Sequence, residues 1–197
     1  MDDIRSKIER QWMPHIIKEI EDLNGGGSVA MAGLDKSVGC IPPGFFVGEN
    51  ENGMLAVMVA AVLSEAAMAD SKTYKVKKRS QFKTGMFVTT GDVDGAKAYA
   101  VTKVDRSNTE YDVITVGTSL GVALPVGKTL HEVKAEDTVG GKGELPCKPI
   151  GVAKNEVDLT KNHADTGVTL RGSVNVANLA FGAPEVYRKV LPLILYR

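Results

Sequence analysis

The sequence predicts a mainly β protein of short antiparallel strands, preceded by an N-terminal amphipathic helix. Three observations predict it. Short β-prone runs recur from residue 74 onward and are separated by turns of Gly, Asp, Asn and Ser. Glycine reaches 21 residues while aromatics stay at 6%, a bias toward strands joined by tight turns. The start of the chain differs, with Ile4, Ile8, Trp12, Ile16 and Ile20 recurring every four residues among charges.

That repeat sets the first segment, residues 1–24, as a helix. Pro14 removes a backbone donor and disfavours helical geometry at Met13, so a kink or a second helix starting near Pro14 is expected. Asn24-Gly25-Gly26-Gly27-Ser28 ends it, and triple glycine, costly to order, reads as a hinge over residues 25–36. A β-rich domain then spans residues 37–197. Ile41-Pro42-Pro43-Gly44 is a turn into a strand at Phe45-Phe46-Val47. Met54 to Ala69 stays open between helix and strand, because its alanines and methionines favour one and its valines the other.

Strands are expected at Tyr74–Lys78, Met86–Thr90, Lys97–Val104, Tyr111–Val116, Thr129–Val133, Ile150–Ala153, Val157–Leu159 and Val168–Val176. The two runs flanking the polar Asp105–Glu110 loop form a hairpin. Pro184 opens a short helical turn through Arg188, and Leu193–Tyr196 returns as a closing strand.

Bulk properties narrow the function classes. Lys plus Arg balances Asp plus Glu at 24 each, so no net field favours nucleic acid or an anionic membrane. The longest apolar run, Met54 to Leu63, falls well short of the ~20 residues that cross a bilayer. Neither nucleic acid nor membrane is expected as a partner. Cys40 and Cys147 form no metal-binding spacing and are expected as unpaired thiols. Asp2 and Asp3 open the chain without a basic run and apolar stretch, which argues against a Sec signal and for synthesis in a cytoplasm.

Motifs that suggest chemistry fail on spacing. Gly121-Val122-Ala123-Leu124-Pro125-Val126-Gly127-Lys128-Thr129 resembles a phosphate-binding loop, yet has five residues between its glycines where the motif needs four, and it leads into a strand. Asp92-Val93-Asp94-Gly95 lacks the later acidic ligands of a calcium loop. His15, His131 and His163 are isolated, and read as surface or packing residues. Lys75, Lys77, Lys78, Arg79 and Lys83 form the one basic cluster, read first as a charged sheet edge and second as a contact for nucleic acid or an acidic protein. No catalytic residue, metal site or cofactor is assigned, and the chain is expected not to be an enzyme. The isoleucine stripe is the candidate interaction element, able to pack on its own domain or on a partner.

Three segments resemble phage head-decoration and head-fibre proteins: Val38-Gly39-Cys40-Ile41-Pro42-Pro43-Gly44, Phe82-Lys83-Thr84-Gly85-Met86-Phe87-Val88, and Gly167-Val168-Thr169-Leu170-Arg171-Gly172-Ser173-Val174-Asn175, followed by the small apolar Ala177–Phe181 tail. The resemblance covers roughly Val38 to Arg197. It implies a compact β-barrel or β-tulip-like domain on the outside of a bacteriophage capsid, often trimeric, that cements capsomers or projects as a short fibre. The implied partners are the major capsid protein and further copies of the chain. Other classes remain: an adhesion module that binds host surface glycans through Tyr99 and Tyr111, and a small-molecule enzyme on a β-barrel.

Overall fold

The computed structural model describes residues 15–141 and 143–197. Strands make up 40% of the chain and helices 7%, and the sheets are antiparallel apart from one parallel pairing. The chain first lays down β1 (Ile16–Asp22), β2 (Gly27–Ser28), β3 (Cys40–Ile41), β4 (Phe46–Glu49) and β5 (Leu55–Val57). It then builds a second unit from β6 (Ala60–Val62), β7 (Thr73–Lys77), β8 (Phe87–Thr89), β9 (Tyr99–Asp105), β10 (Tyr111–Val116) and β11 (Thr129–Val133). Finally it returns to the first unit with β12 (Pro149–Ala153), β13 (Val157–Asp158), β14 (Asp165–Thr166), β15 (Val168–Val174), the short helix α1 (Glu185–Val190) and β16 (Ile194–Tyr196).

The outer unit is a sheet in the order β1-β15-β12-β4-β5, with β16 parallel beside β15. Phe45, Phe46, Val152, Val168, Val174 and Tyr187 fill its core, all 0 or 1% exposed. The inner unit has the order β6-β11-β8-β9-β10-β7 and its own core of Tyr74, Val76, Phe82, Val88, Ile114 and Leu130. Each such side chain contributes about 2 kcal/mol by leaving water. The inner unit is thus an insertion between β5 and β12 of the outer one.

Alternation explains the strands. Along β10, Asp112, Ile114 and Val116 are buried while Tyr111, Val113 and Thr115 are half-buried. The expected hairpin pairs β10 with β9, Ile114 opposite Val104. Gly44, with φ of +87°, takes the left-handed conformation that turns Pro42-Pro43 into β4. Met54 to Ala69 holds two short strands, β5 and β6, joined by the buried Met58 and Val59, with turns and isolated bridges after Val62 and no helix.

Two expectations are corrected. Residues 16–22 are not helical but form β1, paired with β15 from Ile16 opposite Val174 to Asp22 opposite Thr169. The slips in the β1 pairing turn Ile16 toward the core and Ile20 toward water, so the four-residue spacing that suggested a helix face does not put the two on one face of the strand. Tertiary pairing with β15 decides between helix and strand. The remainder of the expected helix, with Ile4, Ile8 and Trp12, lies outside the described residues. The segment read as a hinge contains β2, which pairs with β14, and Val29, which is wholly buried in the outer core.

The second correction is that neither sheet closes into a barrel. The inner sheet curls until its end strands β6 and β7 meet, but only through the Leu63–Val76 bridge and the Ser64 amide donating to the Lys75 carbonyl at 2.9 Å. Short strands with few residues to share leave that seam incomplete.

Polar bonds tie the two units together. The Asp35 amide donates to Gln81 Oε1 at 2.9 Å, and the Asp35 carboxylate pairs with Arg106 at 3.1 Å. At the other side, the Glu185 amide donates to Asp92 Oδ1 at 2.7 Å, and the Tyr187 hydroxyl to the Val59 carbonyl at 3.3 Å.

Candidate interaction surface

β1 is an edge strand, and its outer side faces no other strand of the described residues. Its pairing with β15 slips three times: between Ile16 opposite Val174 and Lys18 opposite Ser173, between Glu19 opposite Gly172 and Glu21 opposite Arg171, and between Glu21 and Asp22 opposite Thr169. Ile17 and Ile20 are therefore the extra residues at two bulges, and each is turned outward, 48% and 57% exposed. Ile16 instead packs half-buried against the outer core. On the other flank of β15, Leu195 of β16 opposes Ser173, and Leu193 precedes it; both are more than half exposed. Four large apolar side chains thus stand in water at one end of one sheet. Single exposed leucines need no explanation, whereas large apolar side chains exposed on both flanks of one strand offer a candidate contact surface.

Charges hold this edge rigid. Lys154 Nζ reaches Glu19 Oε1 at 3.0 Å and Asp22 Oδ2 at 2.9 Å, and the Thr169 hydroxyl donates to Glu19 Oε2 at 2.7 Å. The Thr169 hydroxyl, followed by Lys154, holds the Glu19 carboxyl below its ordinary value, and Lys154 does the same for Asp22. Gly172 is needed here because a Cβ at that position would overlap the Lys18 carbonyl oxygen. Bulges and charge together blunt the strand against indiscriminate edge pairing.

Of the five residues singled out in the sequence, Ile16 and Ile20 lie on β1, one facing the core and one facing water. Ile4, Ile8 and Trp12 lie outside the described residues. Ile17, Leu193 and Leu195 were not singled out, because the bulges and the β16 pairing that expose them leave no local pattern.

The basic cluster is largely consumed within the fold. Lys75 pairs with Glu65 at 2.6 Å, Lys78 with the buried Asp112 at 2.7 Å, Arg79 donates to the Cys40 sulfur at 3.5 Å, and Lys83 to the Leu34 carbonyl at 3.4 Å. Tyr99 and Tyr111 are half-buried, and Lys75 covers the Tyr111 ring at 5.2 Å. The Asp92 turn is committed to structure, accepting from Glu185 and from the Thr129 hydroxyl at 3.2 Å. Cys40 and Cys147 are free thiols, and burial raises the Cys147 pKa.

His163 is exposed, and His15 is half-buried. His131 is the exception, completely buried on β11 against the Tyr187 ring at 5.8 Å, with neither ring nitrogen hydrogen-bonded. Burial lowers its pKa from 6.5 to about 4. Glu132, next along β11, is pushed upward by the same cause. Among the described residues, no group of three His, Cys, Asp or Glu side chains could hold a metal ion, and no helix is long and apolar enough to cross a membrane.

No protein-family model, curated protein or solved structure matches the chain.

Proposed function

We propose that the chain is a non-enzymatic structural protein of a bacteriophage virion, bound to the outside of the capsid as a decoration or head-fibre protein that stabilises the shell. The observation that carries this reading is the bulged β1 edge, where Ile17 and Ile20 stand exposed on one flank of β15 while Leu193 and Leu195 stand exposed on the other, with Lys154 paired to Glu19 and Asp22 of β1. A rigid apolar edge binds by burying area with little loss of freedom, which suits a cementing contact. The two-sheet body is, in this reading, the β-tulip-like domain that the resemblance implies, and the working unit is a trimer. A stable contact buries roughly 1,600 Å² in total, and symmetry repeats it over the lattice.

The partner is the major capsid protein, met on the capsid exterior after synthesis in the host cytoplasm. Sedimentation of the purified chain with shells of that capsid protein tests it. The chain is expected in the pellet at saturable stoichiometry, and the double variant Ile17→Lys, Ile20→Lys is expected to stay in the supernatant with an unchanged melting temperature. Equal pelleting of both proteins, or of neither, contradicts the proposal.

A further inference from the structure

Gly121–Thr129 fails as a nucleotide loop, yet its last five residues, from Pro125 on, line a cleft of about 490 Å³ between the two units. Lys77 and Asp92 come from the inner unit, and Glu185 and Arg188 approach from α1. Sites of a few hundred cubic ångströms at the junction of two units suit small ligands.

The charges of this cleft are unevenly matched. Asp92 already accepts from the Glu185 amide at 2.7 Å and from the Thr129 hydroxyl at 3.2 Å. Glu185 has Lys189 at 3.7 Å. Lys77, Lys128 and Arg188, by contrast, have no carboxylate within ion-pair distance among the described residues. The Arg188 guanidinium lies over the Tyr196 ring at 4.9 Å, and its Nε is buried with no hydrogen-bond partner. An arginine held over an aromatic ring can still donate from its terminal guanidinium nitrogens to a carboxylate or phosphate.

We propose that this cleft binds a small anionic sugar, with its phosphate or carboxylate held by Arg188, Lys128 and Lys77 and its hydroxyls donating to the remaining lone pairs of Asp92 and Glu185. Three cations, Lys77, Lys128 and Arg188, line a cleft roomy enough for a sugar, and the two carboxylates in the same lining supply the acceptors a sugar ring needs. The inference is independent of what the β1 edge binds.

The test is a heteronuclear NMR titration of the full chain with glucose 6-phosphate, glucuronate, inorganic phosphate and uncharged glucose. Glucose 6-phosphate or glucuronate is expected to bind at roughly 0.1 mM, shifting the amides of Gly127, Lys128, Thr129 and Arg188. Phosphate should bind at least tenfold more weakly, and glucose should not bind. Arg188→Gln should weaken the sugar anion at least tenfold, and the surface pair Lys77→Gln, Lys128→Gln at least threefold should Arg188→Gln disturb folding. Lys161→Gln, away from the cleft, should leave binding unchanged. Equal affinity for phosphate and for glucose 6-phosphate overturns the sugar assignment. No shift with any anion at about 10 mM, or binding unaffected by either set of substitutions, overturns the site altogether.

Discussion

Acid should destabilise this protein through one buried imidazole. His131 sits on β11 with no hydrogen-bond partner on either nitrogen, walled in by the Tyr187 ring, and a Cβ on Gly91 would come within 3.0 Å of its Cε1. Its pKa falls from 6.5 to about 4 because charging it there means desolvating an ion. The folded-state value is depressed, so the unfolded chain takes up the proton first. The favourable difference is fully present above pH 6.5, erodes as pH falls toward about 4, and levels off below that. Integrated between pH 7.5 and 4.5, this one residue removes roughly 2–3 kcal/mol. Urea unfolding at those two pH values, compared with His131→Phe, isolates the effect from every carboxylate the two proteins share. The variant keeps an aromatic ring and loses two unsatisfied polar atoms, so it should match or exceed the parent at pH 7.5 and lose roughly 2–3 kcal/mol less on acidification. Equal losses in both proteins, or an NMR titration of His131 centred near 6.5, would refute the reasoning.

Other outcomes follow from individual contacts. Asp112 is wholly buried and held by Lys78 at 2.7 Å and the Ser80 amide at 3.0 Å, so Asp112→Asn, which leaves Lys78 unmatched, should cost about 3 kcal/mol in urea unfolding. Gly172→Val should force β1 off β15, costing about 2 kcal/mol and removing hydrogen-exchange protection from Lys18 and Glu19 while β4 and β12 stay protected. Light scattering of the full chain should give three times the chain mass. A chain beginning at His15 keeps β1 intact, and if it remains trimeric the oligomer is held by the described residues; a monomer in both forms contradicts the trimer.

Much of the fold was legible where burial alternates. Tyr99–Val104 and Tyr111–Val116 announced their hairpin because side chains two apart share a face, and Pro184 announced α1 because its fixed φ suits a helix start. Ile16 and Ile20 misled for a physical reason. Their spacing fits a helix, and β15, the strand that instead pairs them into β1, lies about 150 residues away. The same distance hid the candidate surface: Ile17 and Ile20 are exposed by slips in pairing, and Leu195 by a parallel partner. His131 carried no local sign of its burial, which comes from Tyr187 and Gly91 on other elements. Gly127, Lys128 and Thr129 did stand out, although their cleft is completed by Arg188, which no local motif marks.

The most direct test of capsid attachment is electron cryomicroscopy of shells of the major capsid protein incubated with the full chain. Symmetric density on the outer surface, fitted by the two-sheet body with the β1 and β16 end against the shell, is what the account predicts. A bare shell at saturating chain, or density that meets the shell through the opposite end, contradicts it.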